Sequence, residues 1–134
     1  MGDKVITTYW EGGYRCRIPV RKFEILADEP PEDGGTDTGP APTDLFLAAL
    51  GSCFTMAVYH AAKKRSVELP DLAVRTTGTY EGLRFAEVKV EVISSHQSRE
   101  ELQKFVDKAI TWCYVSNTLN SDVKLDYVIT EAPG

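Results

Sequence analysis

Cysteine and histidine are scarce in this chain: Cys16, Cys53 and Cys113, with His60 and His96, are all that 134 residues contain. An odd number of widely spaced cysteines, with no export signal to go with them, argues against the disulfide framework that staples small secreted domains. No two cysteines stand close in sequence and the histidines are isolated, so no metal-ligand spacing emerges. The cysteines are left with packing or with thiol chemistry. A basic stripe is missing too. With 20 acidic against 15 basic residues the net charge is −5 and the pI is near 5.0, and Lys63, Lys64 and Arg65 form only a short cluster. Phosphate backbones are repelled on average, which excludes nucleic acid as an expected partner. The opening MGDKVITTYW has no cationic segment followed by an apolar one, so a cytoplasmic location is expected. The longest uncharged stretch, from Leu45 up to Lys63, is interrupted by Gly51, Ser52, Thr55 and His60. It reads as a core helix rather than a membrane span.

What is present suits one domain spanning residues 1–134, since 43% hydrophobic content at this length supports one core. Val5, Thr7 and Tyr9 alternate as a first strand, and Glu11–Gly13 make a turn. Arg15–Ile18 form a second strand that Pro19 interrupts or ends, and Phe23, Ile25 and Ala27 mark a third. Residues 28–42, DEPPEDGGTDTGPAP, read as a long loop. Further strands are expected over Ala73–Tyr80 and Phe85–Ile93, joined by a turn at Glu81 and Gly82, with a last strand over Val123–Ile129. The order of strands, helix, strands, helix and strand defines an α+β domain with two helices against antiparallel sheet.

The two helices carry the chemistry. Thr43 can cap the first, with Asp44 well placed against the positive end of the helix dipole. Leu45, Ala49, Cys53 and Ala57 then follow at spacings of four. Ser98 and Glu101 form a capping-box pattern opening the second helix, whose apolar side collects Leu102, Phe105, Val106, Ala109, Ile110 and Cys113. Two packed helices could bring Cys53 and Cys113 together; two unrelated buried cysteines fit the pattern as well.

The run ADEPPEDGGTDTGPAPTDLFLAALGSCFTMAVYHAAKK, followed much later by WCYVSNTL, resembles the acidic loop, cysteine helix and second cysteine motif of the OsmC/Ohr family of osmotically induced and organic-hydroperoxide-resistance proteins. The resemblance spans nearly the whole chain. It implies an OsmC-like α+β fold with antiparallel sheets and two long central helices, assembled as an intertwined homodimer. It also implies a thiol-dependent peroxidase of organic hydroperoxides in which Cys53 is peroxidatic and Cys113 resolving. An arginine would favour the Cys53 thiolate, and a dithiol or lipoyl-type reductant would restore the enzyme, with no metal or bound cofactor. The alternative is a catalytically weak dimer that binds a small apolar or thiol-reactive ligand at the subunit interface.

Several positions depart from the family pattern. A glutamate is expected ten residues before the peroxidatic cysteine, where this chain has Thr43; Asp44, one residue on, either substitutes for it or serves the helix start. A one-residue step turns a helical side chain by about 100°. Arg15, Arg17 and Arg21 are the candidates for the activating arginine, and Arg15, which follows Tyr14, is preferred. Phe23 stands where histidine is usual, and Tyr114 and Ser116 replace the usual proline and histidine. Cys16 has no family counterpart and reads as an inward-facing strand residue. His60 reads as interfacial or semi-buried, and His96 as solvated. Trp112 and Tyr114 could line a pocket or simply pack. Asn117 and Thr118 end the turn that follows.

Overall fold

In a computed structural model, which describes residues 2–119 and 121–131, the chain forms two compact units, one up to Phe46 and one from Leu47 onward. The N-terminal unit is an antiparallel sheet of three strands in the order β1 (Tyr9–Trp10), β2 (Cys16–Val20) and β3 (Phe23–Ala27). β1 is shorter than the alternation from Val5 suggests, and the residues before Tyr9 are not strand. Pro19 does not end β2. It pairs with Glu24 of β3, and because β1 reaches only as far as Arg17 it sits on an open edge, where a residue without an N–H is tolerated.

After β3 the chain enters the long loop, which turns through a single 3₁₀ turn, Pro31–Asp33, and is organised by one side chain. Asp28 is buried, and its carboxylate accepts hydrogen bonds from the hydroxyls of Thr36 (2.6 Å) and Thr38 (2.7 Å) and from the backbone N–H groups of Glu29, Thr36 and Thr38. These bonds hold the carboxyl well below the usual carboxylate range. The loop must approach its own start closely. A Cβ at Gly35 would collide with the Glu29 carbonyl, and one at Gly39 with that of Leu26, so glycine is required at both.

α1 (Pro42–Lys64) begins one residue earlier than a Thr43 cap would place it. Ala41 is the N-cap: its carbonyl accepts from the Leu45 N–H (3.1 Å), Pro42 takes the first helical position, and Thr43 lies exposed inside the first turn. Asp44 reaches back to the Ala41 N–H at 2.9 Å, one half of a capping box. At the other end Ser66 adopts a left-handed φ of 56°, its N–H bonded to the Lys63 carbonyl and that of Val67 to the Ala62 carbonyl. This is a Schellman stop made without glycine.

The C-terminal unit contains a second sheet in the order β4 (Ala73–Glu81), β5 (Arg84–Ser94) and β6 (Lys124–Glu131), with α2 (Arg99–Trp112) and the short α3 (Tyr114–Thr118) between β5 and β6. Its core joins Leu50, Phe54 and Val58 of α1 to Val88, Val90 and Val92 of β5 and to Leu102, Phe105 and Val106 of α2, all buried. By length and composition α1 could cross a membrane, yet along this part it buries one face in that core. The Thr76 hydroxyl of β4 donates to the Leu47 carbonyl (3.1 Å) and fixes the helix against the sheet.

Antiparallel pairing holds for β4 and β5 but not for the last strand: β6 runs parallel to β5, with Val88 opposite Leu125 and Val92 opposite Ile129. The cause is the intervening helix, because a crossover through α2 returns the chain in its original direction. Ser98 caps α2 as its sequence predicts, accepting from the Glu101 N–H at 3.1 Å. Ser98→Ala is therefore expected to cost about 1 kcal/mol, read as a lower urea midpoint with an unchanged slope. The Glu101 carboxylate meets the ring of His96 at 2.8 Å, so His96 is a half-buried, bonded residue and not the solvated one its polar surroundings suggest.

Candidate two-thiol site

Cys53 lies midway along α1, half-buried. Cys113 does not continue α2. It falls between α2 and α3 with extended backbone (φ −79°, ψ 107°), ending one helix and starting the next. Its own N–H bonds the Ala109 carbonyl, and its carbonyl accepts from the Asn117 N–H, each at 3.0 Å. Helical backbone here would carry the apolar stripe onward through Tyr114 and Ser116. The break instead turns the side chain of Cys113 fully inward and leaves Tyr114 exposed.

There Cys113 neighbours Cys53 closely enough for the second thiol to bear on its ionisation, and both cysteines are free. The structure thus brings together two thiols 60 positions apart in sequence (113 − 53 = 60). Burial pushes the Cys113 thiol up, a hydrogen bond from the Ser116 hydroxyl opposes that rise, and the neighbouring Cys53 adds to it. A thiol held in its protonated form is a poor first nucleophile, whereas Cys53 is partly open to solvent. The two sulfurs thus differ in their access to solvent.

Ser116 and Tyr127 complete the surroundings; in the sequence Ser116 stands out only as a departure from the family pattern, and Tyr127 not at all. Ser116 is buried, its hydroxyl donates to the Cys113 carbonyl at 3.2 Å, and it opposes the upward shift of both Cys113 and Tyr127. Tyr127, on β6, stacks on Phe54 with ring centroids 5.1 Å apart, and burial raises its phenol above the usual range. Nothing in the strand pattern marks Tyr127.

The remaining candidates lie elsewhere. Trp112 packs edge-on against His60 at 5.1 Å with Lys64 over its ring, so His60 is an exposed partner of an aromatic side chain. In the N-terminal unit, Arg15 follows the β1–β2 turn and precedes β2 rather than sharing a strand face with Arg17. Arg17 is committed to Glu11 (3.2 Å) and lies 4.7 Å over the Tyr9 ring, and Arg21 lies over Phe23. Among the described residues no carboxylate pairs with Arg15. Cys16 is half-buried in β2 opposite Ala27. Among the described residues no three His, Cys, Asp or Glu side chains gather as metal ligands. Two surface grooves of the C-terminal unit, of about 240 and 760 Å³, are lined by neither Cys53 nor Cys113.

An α+β chain with a cysteine inside its long helix and a second at a helix break defines a class of two-thiol proteins. The OsmC-like protein family model matches residues 35–128, and the chain belongs to that family. It is 28% identical over 114 residues to the organic hydroperoxide resistance protein OhrB of Bacillus subtilis, covering 80% of this chain and 82% of that one. It is also 28% identical over 118 residues to an uncharacterized protein of Acinetobacter baylyi, covering 82% and 80%. The crystal structure of an OsmC-like protein from Mycoplasma pneumoniae superposes with a TM-score of 0.82 at 22% identity, covering 99% of this chain and 100% of that one. The OsmC-like α+β fold is thereby established.

Proposed function

We propose that the protein is a thiol peroxidase that reduces organic hydroperoxides, with Cys53 as the peroxidatic and Cys113 as the resolving cysteine. The observation that carries this reading is the pair of free, neighbouring thiols, one half-exposed and one buried with its ionisation suppressed. The Cys53 thiolate attacks the O–O bond, giving a sulfenic acid and releasing the alcohol. Cys113 then attacks the sulfenic sulfur, forming the disulfide and expelling the hydroxyl as water. An external dithiol of lipoyl type returns both thiols. The name of the Bacillus subtilis relative supports the substrate class.

In this reading an arginine favours the Cys53 thiolate, and Arg15, which follows Tyr14 as in the family pattern, is the candidate. The protein acts in the cytoplasm as one domain of residues 1–134 and as a homodimer. Exposed Met56, Tyr59 and Tyr114, close in sequence to the two cysteines, support a second copy that covers them and supplies an apolar wall for the substrate.

One observation favours a second reading. Asp44 is bonded to the helix start, and Thr43 stands where a glutamate would hold the arginine. A chain without that clamp fits a weak catalyst whose interface binds an apolar or thiol-reactive ligand. Reduced protein treated with one equivalent of cumene hydroperoxide separates the two. Loss of two thiols with formation of a Cys53–Cys113 disulfide, absent in Cys53→Ser, is the result expected of the peroxidase. Thiols that survive excess peroxide indicate the binding protein.

A further inference from the structure

Between Arg99 and Thr118 the backbone leaves the helix at a single residue, Cys113, and no glycine or proline in TWCYVSNT forces it to do so. Its φ of −79° is close to helical, so rotation about ψ alone, away from 107°, separates the break from one continuous helix. The break is therefore held by contacts, and Asn117 grips both sides of it. Its side-chain amide donates from Nδ2 to the Thr111 carbonyl at 3.1 Å, ahead of the cysteine, and its N–H donates to the carbonyl of Cys113 itself at 3.0 Å. The amide bond belongs to the broken form alone. In a straight helix two residues six apart are separated by about 9 Å along the axis and about 240° around it, and the Thr111 carbonyl would accept from the Val115 N–H instead. The Ser116 hydroxyl, which donates to the Cys113 carbonyl at 3.2 Å, does not discriminate in this way: Ser52 makes the same bond to Ala49 inside the unbroken α1.

Resting on the peroxidase reading, we infer that Asn117 is a positioning residue for the resolving step: its amide holds the break between α2 and α3, and the break keeps the Cys113 side chain turned inward beside Cys53. At the break Cys113 is fully buried while Tyr114, the next residue, is 70% exposed. A return to helical ψ turns the cysteine out of that setting. A bond made in one backbone state and not in the other shifts the population toward the state that makes it. In the step itself the Cys113 sulfur forms the S–S bond as the S–O bond of the Cys53 sulfenic acid breaks, and the Cys113 proton leaves with that hydroxyl as water. Asn117 gains and loses no proton. It governs where the second sulfur stands and has no part in the first oxidation, at Cys53. Because Asn117 is exposed, its side chain can be exchanged without opening a cavity.

The test follows the two steps separately in reduced protein given cumene hydroperoxide, trapping the sulfenic acid with dimedone and measuring the disulfide by intact mass. In Asn117→Ala the first oxidation is expected to keep the parent's rate, the disulfide to form about tenfold more slowly, and dimedone adduct to accumulate. Asn117→Asp, the same shape with no donor for the Thr111 carbonyl, is expected to behave alike. Ser98→Ala, which weakens α2 at its other end, controls for lost stability and is expected to leave the partition between adduct and disulfide unchanged. A disulfide rate within twofold of the parent in both Asn117 variants overturns the inference, and so does an equal slowing in Ser98→Ala. Wild-type protein that yields neither adduct nor disulfide fails the peroxidase reading instead. The positioning role is then read without peroxide, from the rate at which iodoacetamide alkylates Cys113 in a Cys16→Ser, Cys53→Ser background. Adding Asn117→Ala is expected to raise that rate about tenfold as the cysteine turns outward, and a rate within twofold overturns the role there too.

Discussion

Cys113→Ser protein, reduced and then given excess organic hydroperoxide, is expected to lose its Cys53 thiol for good. With its neighbouring thiol removed, the sulfenic acid persists, takes up a further oxygen to become sulfinic acid, and no longer returns to the thiol with dithiol reductant. Intact mass would show the addition of two oxygen atoms where the parent shows the loss of two hydrogens. Cys53→Ser is the complementary case. Its Cys113 is buried and held protonated, so peroxide consumption should fall by roughly three orders of magnitude or more even though a free thiol remains. Turnover in the parent should also rise with pH wherever disulfide formation limits it, because the Cys113 thiol is pushed above its ordinary value and its thiolate fraction grows as pH climbs toward it. A Cys113→Ser protein that cycles normally with dithiol would remove the resolving role from this residue.

The parts of the molecule that local chemistry determines were readable in the sequence. The apolar spacing from Leu45 locates α1, Ser98 with Glu101 locates the start of α2, and the valines of β5 locate the buried face of the second sheet. Pairing partners are another matter. Period-two alternation is the same in parallel and antiparallel strands, so β6 gave no sign of its direction except the helix that precedes it. Cys113 was placed on the apolar face of a helix because nothing in TWCYVS breaks the periodicity: no glycine or proline marks the turn, and the break shows only in the backbone. The site followed the same division. Cys53 and Cys113 became reactive candidates through the family resemblance, because their apolar settings fit two unrelated buried cysteines as well; their proximity depends on packing across the unit, and Ser116 and Tyr127 acquire meaning only once that packing is known. Asp44 is ambiguous in sequence for a geometric reason, since a carboxylate in the first helical turn can face outward or fold back on the cap, and here it folds back.

Asp28 is the residue whose weight the sequence hid most completely, because an aspartate ahead of Glu-Pro-Pro reads as one more solvated acid in an acidic loop. Its carboxylate accepts from two threonine hydroxyls and three backbone N–H groups, and the chain from Glu29 to Gly39 is folded around it. Asp28→Asn replaces one accepting oxygen by a donor that faces other donors, and removes the charge that strengthened every one of those bonds. The expected result is a fall in thermal midpoint of roughly 10 °C, with faster amide exchange at Glu29, Thr36 and Thr38. The pH dependence has a definite sign. The folded-state carboxyl titrates below its unfolded value of about 3.9, so its contribution is fully present above that value and is lost as the pH falls toward the folded one. The gap between parent and Asp28→Asn should therefore stay constant from about pH 5 to 8 and close below about pH 4. A Thr36→Val, Thr38→Val double variant should lose much of the same stability at neutral pH while keeping the charge, since it leaves the carboxylate with backbone donors alone. Thermal midpoints of the three proteins measured from pH 2 to 8 decide the matter: a gap for Asp28→Asn that widens in acid would mean that the carboxylate is not what holds the loop.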